Sequence, residues 1–281
     1  MRDKRRGFSG VAQKIKAKSI RDTVRDFRSF LGYGKSASTA NSYSGTVRKF
    51  LLFVEKDSED ITPMDITRWF DSLQEEGYSP RTLNHFGWAL KSYFDFTGNR
   101  DLENRTPIMD YSSPEPKWMT EPLAYDLIAQ VPVLCVGYDL ALRIGECGFL
   151  RKSGFNPDTG DITVIRLKHK NQRNRYILRI SEWCLPILNR WIRDNARGDI
   201  IFPQSVSTVR RRFIERARML NLEGYSFHSL RHSKITHLAI RDIEERGMVD
   251  ELKLSKFAGH LRVETTRLYV HLAMEHLTYA R

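Results

Sequence analysis

Residues 225–236 read YSFHSLRHSKIT and open a predicted helix. His228 and Arg231 stand three positions apart, with His232 next to the arginine. Positions i and i+3 share a helix face, so the imidazole and the guanidinium would point at the same neighbour. Two such groups suit a phosphate. A single His-x-x-Arg also arises by chance on solvated helix faces, so the rest of the chain has to decide between the two readings.

With 281 residues, the chain exceeds what one small core needs, and two domains are expected. Its 46 Lys and Arg against 34 Asp and Glu leave a net charge of +12, which favours a polyanionic partner. Ten Lys and Arg face three Asp within the first thirty residues. This predicts a basic tail over residues 1–22, either a nucleic-acid arm or a solubilising end. No apolar run reaches the roughly 20 residues of a membrane span, and the charged start lacks a signal peptide's apolar segment. A cytoplasmic protein with no membrane partner is expected. Cys135, Cys147 and Cys184 show no Cys-x-x-Cys spacing and read as reduced core residues rather than as a zinc site or a disulfide framework.

Between residues 38 and 97 the apolar spacing is helical. Tyr43, Val47, Phe50, Leu51 and Val54 form one stripe. Ile66, Trp69, Phe70 and Leu73 form a second, started by Thr62 and Pro63 and ended by Gly77. Leu83, Phe86, Leu90, Tyr93 and Phe94 form a third, capped by Ser79 and stopped by Gly98 and Asn99. A helical domain over 23–102 follows, then a proline-bearing linker over 103–118 and a second domain over 119–281. In the second domain, helices are expected at 120–131, around Arg143, at 206–221, 228–240, near 248–258, and at 265–277. Two strands flank a basic turn within DITVIRLKHKNQRNRYILRI, with Ile162, Val164, Ile177 and Ile180 as the apolar positions.

Each candidate has a bland reading of its own. Arg143 would lie inside a largely apolar helix, where a guanidinium needs a partner, and Glu146 at i+3 could supply one. Lys168, Lys170, Arg173 and Arg175 could be a solvated basic turn, or a narrow ribbon tip suited to a DNA groove. Tyr269, nine positions after His260, could be a half-buried aromatic. The order Arg, Lys, His-x-x-Arg, Gly-His, Tyr is far more specific than any one member.

In that order the chain resembles the tyrosine recombinase (phage integrase) family over about residues 25–275. ALRIGECGFLR is similar to the family's arginine-bearing helix, HSLRH to its His-x-x-Arg box, and AGHLRVETTRLYVHL to the box that carries the nucleophile. The resemblance implies a mainly α, two-domain, C-shaped DNA clamp. Its N-terminal part would be a helical, SAM-like core-binding domain, and its catalytic domain would be mostly helical with a small β-hairpin. By position it implies Arg143 and Arg231 as the paired arginines, His228 and His260 as the histidines, and Tyr269 as the nucleophile. Lys170 falls at the lysine's place, with Lys168 close by. The stretch RDIEERGMVDELKLSKFAGH is longer than the family spacing and predicts a helix pair of different length.

The implied chemistry is site-specific cleavage and rejoining of double-stranded DNA through a 3′-phosphotyrosine. Such a link keeps the bond energy, so neither ATP nor a metal is needed, and no cofactor is expected. Two arginines would hold the phosphoryl oxygens bidentately, His260 would add a donor, His228 would accept the phenolic proton and Lys170 would protonate the 5′ oxygen. Implied partners are a tetrameric synaptic complex on DNA and accessory DNA-bending proteins, at the nucleoid. The rival readings are nicking and resealing like a type IB topoisomerase, and a catalytically silent DNA-binding regulator of the same fold.

Overall fold

The computed structural model describes residues 5–112, 114–166, 174–195 and 198–279, with side chains for all of these except 5–18 and 174. The chain divides into two units between Pro114 and Glu115.

The first unit is helical: α1 (Arg5–Gly32), α2 (Ala37–Val54), α3 (Pro63–Glu75), α4 (Pro80–Thr97) and α5 (Arg100–Arg105). Local chemistry starts these helices where the sequence places them. Ser36 accepts from the Thr39 amide at 3.1 Å and Ser79 from the Thr82 amide at 3.3 Å. Asp65 takes the Thr62 amide at 2.8 Å, with Pro63 in the first turn. The three apolar stripes meet around Val47, Phe50, Trp69, Phe70, Leu90 and Phe94, joined by Phe27 and Leu31 of α1.

Two features differ from the sequence expectation. Residues 5–22, expected as a tail, belong to α1. Residues 103–109, expected in the linker, are held on the first unit. Leu102 is buried in its core. The Asn84 carboxamide grips Met109 at both its amide (2.6 Å) and its carbonyl (2.8 Å). Gly87 lets the Pro107 carbonyl lie against α4, since a Cβ there would stand 2.6 Å from that oxygen. Side-chain hydrogen bonds to backbone are invisible to a composition-based linker reading.

The second unit contains α6 (Glu121–Ile128), α7 (Pro132–Asp139), the short α8 (Ile144–Cys147), β1 (Asp161–Arg166), β2 (Asn174–Arg179), α9 (Leu185–Asn195), α10 (Val206–Met219), α11 (Phe227–Arg246), α12 (Glu251–Ala258) and α13 (Glu264–Tyr279). β1 and β2 pair antiparallel, from Asp161 opposite Arg179 to Arg166 opposite Asn174. Their turn, with Lys168, Lys170 and Arg173, lies outside the described residues. Ile162 and Val164 face the core, whereas Ile177 is 76% exposed on the other face of the ribbon. The core gathers Leu134, Val136, Tyr138, Leu142, Leu150, Phe202, Phe213 and Phe227, with the three free cysteines buried. Gly137 allows α7 to meet α11, because a Cβ there would stand 2.6 Å from the Phe227 ring. Among the described residues no helix is long and apolar enough to cross a membrane.

The expectation of one continuous helix through Arg143 is corrected. After α7 the chain closes with Leu142 N–H donating to Gly137 O at 2.8 Å and Ala141 N–H to Tyr138 O at 2.9 Å, and Ala141 takes φ 47°. This left-handed helix stop is usually a glycine's place. Arg143 then starts α8 as its N-cap.

Candidate active site

The helix stop has a chemical consequence, because the last carbonyls of a helix lack intrahelical partners. Here two helix ends face guanidiniums. Arg231, 1% exposed on α11, donates to Ala141 O and to Ala258 O, at the ends of α7 and α12. Arg166 donates to Phe257 O at 2.6 Å, and Gly259 follows at φ +64°. A Cβ on Gly259 would stand 2.9 Å from Arg166 Nε, so the glycine before His260 is required by conformation and by space.

Glu146 ties the arginines together. Its Oε1 accepts from Arg143 Nη1 at 2.9 Å, and its Oε2 from Arg166 Nη1 at 2.8 Å and the Arg143 amide at 3.0 Å. Burial alone would raise its pKa, but Arg166 and the hydrogen bonds from Arg143 outweigh that and hold Glu146 below the usual carboxylate range. Arg231 is pushed down to about 9 by burial and by Arg143 and Arg166, and so stays charged at neutral pH. Arg143 and Arg166 thus share the Glu146 carboxylate while Arg231 is held by carbonyls, an excess of positive charge that an anion would balance.

Beside the arginines stands a row of rings. Tyr269, on α13 and 4% exposed, lies between His260 (centroids 5.6 Å, 17°) and His232 (5.7 Å, 27°). Its hydroxyl is 2.7 Å from His232 Nδ1. The exposed His228 meets His232 edge-on, with ring centroids 4.5 Å apart. Nδ1 of His260 is 2.9 Å from Thr266 Oγ1, which fixes that ring. Burial, then Arg231 and Arg143, depress His260 to about 4. Burial, then His228, Arg231 and His260, depress His232 to about 3. Burial raises Tyr269, and Arg231 and Arg143 oppose that rise.

The structure therefore brings Arg143, Arg231, His260 and Tyr269 together, with His228 next in the row. Lys170 and its neighbour Lys168 fall outside the described residues. The expected Arg143–Glu146 pair exists, but Glu146 also holds Arg166, which sequence reasoning passed over. Alternation along β1 carried the signal, because the inward series Ile162, Val164 ends on residue 166. His232 was not assigned a role, although its i+4 spacing from His228 puts both on one helix face. Elsewhere, Glu115, His271 and Glu275 each bring a ligand atom within 4.8 Å of the others, but Glu115 and His271 are exposed and His271 already pairs with Glu275 at 3.2 Å.

Comparison with known proteins gives the same outline. Residues 108–276 match the Phage integrase family, and residues 20–104 match the Phage integrase N-terminal SAM-like domain. The tyrosine recombinase XerA of Pyrococcus furiosus is 28% identical over 285 residues, covering 95% of each chain. That of Thermococcus kodakarensis is 25% identical, covering 92% of this chain and 94% of its own. In fold the chain is similar to a lambda integrase dimer bound to a COC′ core site (TM-score 0.69, 15% identity, 89% of this chain and 76% of that one). It is likewise similar to the XerH recombinase bound to a palindromic difH substrate (TM-score 0.65, 17% identity, 86% and 78%). The two family matches, which together span most of the chain, place it in the phage integrase family as a tyrosine site-specific recombinase.

Proposed function

We propose that the protein recombines double-stranded DNA by attack of Tyr269 on a phosphodiester, forming a 3′-phosphotyrosine and releasing a 5′ hydroxyl. The observation that carries this reading is the nucleophile's setting: a buried phenol that feels the charges of Arg231 and Arg143, with His260 and His232 stacked on its ring. Arg143 and Arg231 bind the phosphoryl oxygens, where attack concentrates negative charge. His260 adds a donor. A hairpin lysine, Lys170 or Lys168, gives its proton to the 5′ oxygen. The exchanged ester conserves the bond energy, so the residues complete the reaction without ATP or a metal. Since Tyr269 is 4% exposed, seating the duplex has to uncover it. The working assembly is a tetramer on two duplexes, aided by accessory DNA-bending proteins.

Sheared genomic DNA incubated with the protein and denatured should yield a covalent adduct, and sequencing the attached ends should return one recurrent site. Tyr269→Phe should bind the same DNA and give no adduct. An adduct that survives this change moves the nucleophile elsewhere, first to Tyr279, which is 86% exposed. Adducts at scattered sequences, together with plasmid relaxation, would instead identify a topoisomerase-like activity.

A further inference from the structure

The reading of Tyr269 as nucleophile leaves open where its proton goes. His228, the acceptor expected from the sequence, is not the ring beside the hydroxyl. His232 is, with Nδ1 at 2.7 Å from the Tyr269 oxygen. The two rings lie 27° from parallel, and His228 meets His232 edge-on with centroids 4.5 Å apart. Arg231, the neighbour of His232 on α11, is anchored on two carbonyls, while His232 itself reaches Tyr269 of α13.

Resting on the function proposed above, we infer that His232 is a further catalytic residue, the base that takes the Tyr269 proton during attack. In the resting site the phenol donates to Nδ1 of a neutral imidazole whose proton is on Nε2. On attack the O–H bond of Tyr269 breaks, the proton passes to Nδ1, the phenolic oxygen bonds to phosphorus, and the bond from phosphorus to the 5′ oxygen breaks. The 5′ oxygen takes its proton from the hairpin lysine. His232 keeps the phenolic proton and returns it when a 5′ hydroxyl displaces the tyrosine, so the two half-reactions mirror each other.

The surroundings fit this role. Without DNA, burial and the neighbouring His228, Arg231 and His260 keep the imidazole unprotonated, with its lone pair available. A phosphate held by Arg143 and Arg231 introduces the negative charge that the site lacks, which favours an imidazolium next to it. His232 is thus a weak base at rest and a stronger one once substrate is bound.

The test uses the full-length protein and the duplex recovered by adduct sequencing, nicked next to the cleaved bond so that the adduct accumulates. His232→Ala and His232→Asn should both cleave at least ~10²-fold more slowly, the scale of a lost proton transfer. Asparagine keeps an acceptor near the Nδ1 position but cannot hold the proton. Added imidazole should restore part of the rate to His232→Ala, and so should fluorotyrosine at position 269, whose phenol loses its proton more readily. His232→Asn at the wild-type rate would reduce the residue to a hydrogen-bond partner and overturn the inference, as would slow variants that neither imidazole nor fluorotyrosine rescues. Should the variants unfold, 15N NMR of the unaltered protein still decides. His232 Nδ1 should show an unprotonated acceptor shift that changes in Tyr269→Phe, and a protonated Nδ1 overturns the inference. Absence of any adduct from the wild type would remove the recombinase reading itself, an outcome distinct from all of these.

Discussion

Glu146 shows how much one side chain does in this site. It is fully buried, and its two oxygens are engaged by Arg143 and Arg166. Replacing it with Gln would leave Arg166, itself fully buried, without a countercharge. Removing one member of a buried pair costs about 3–5 kcal/mol, so Glu146→Gln should lower the unfolding free energy by that amount in urea titrations. The pH dependence follows from the direction of the shift. Glu146 is held below its unfolded value, so its contribution is complete above about pH 4.3 and is lost as the pH falls from there towards the folded value. Other carboxylates titrate in the same range, but the difference in midpoint between wild type and Glu146→Gln should shrink on acidification. A difference that stays constant down to pH 3 would mean that Glu146 is not the anchor.

Among the elements, the end of α12 and the hairpin make separate demands. Gly259→Ala would put a non-glycine residue at φ +64° and a methyl against the locked Arg166 side chain. The left-handed conformation costs roughly 1–2 kcal/mol and overpacking roughly 1–3 kcal/mol, so a combined loss of roughly 2–5 kcal/mol is expected in a denaturant midpoint assay. Unchanged stability would show that Arg166 moves aside freely. The hairpin is tested by chemistry. A substrate with sulfur at the 5′ bridging position needs no proton on its leaving group. It should therefore restore cleavage to Lys170→Ala, if Lys170 is the acid, and leave Arg143→Ala impaired. Rescue of Lys168→Ala alone would assign the acid to Lys168, and rescue of neither would limit the hairpin to binding.

For the whole chain, the segment between the two units is shorter than composition implies. Residues up to Met109 are held by Asn84, and Lys117 lies over the Tyr225 ring at 5.8 Å. Limited proteolysis without DNA should therefore cut between about 110 and 116 and release two folded fragments. Cutting at 101–109 instead would show that the Asn84 clasp does not hold in solution.

Much of this was legible in the residues alone. Caps and apolar periods at Ser36, Thr62 and Ser79 located α2, α3 and α4, because those signals act within one or two turns of the chain. The ordered motif series singled out Arg143, His228, Arg231, His260 and Tyr269 through the family resemblance it carries, because each motif is a short local pattern. The rest depends on segments far apart in sequence. Arg166 acquires its importance from Glu146, twenty residues earlier, and from Phe257, ninety-one residues later. His232 acquires its importance from Tyr269, thirty-seven residues on. The break in the helix before Arg143 is stabilised by Arg231, ninety residues away. Periodicity reports which face of an element is buried but not what that face meets. A buried guanidinium or imidazole is defined by the partner that relieves its desolvation, and only the tertiary packing supplies that partner.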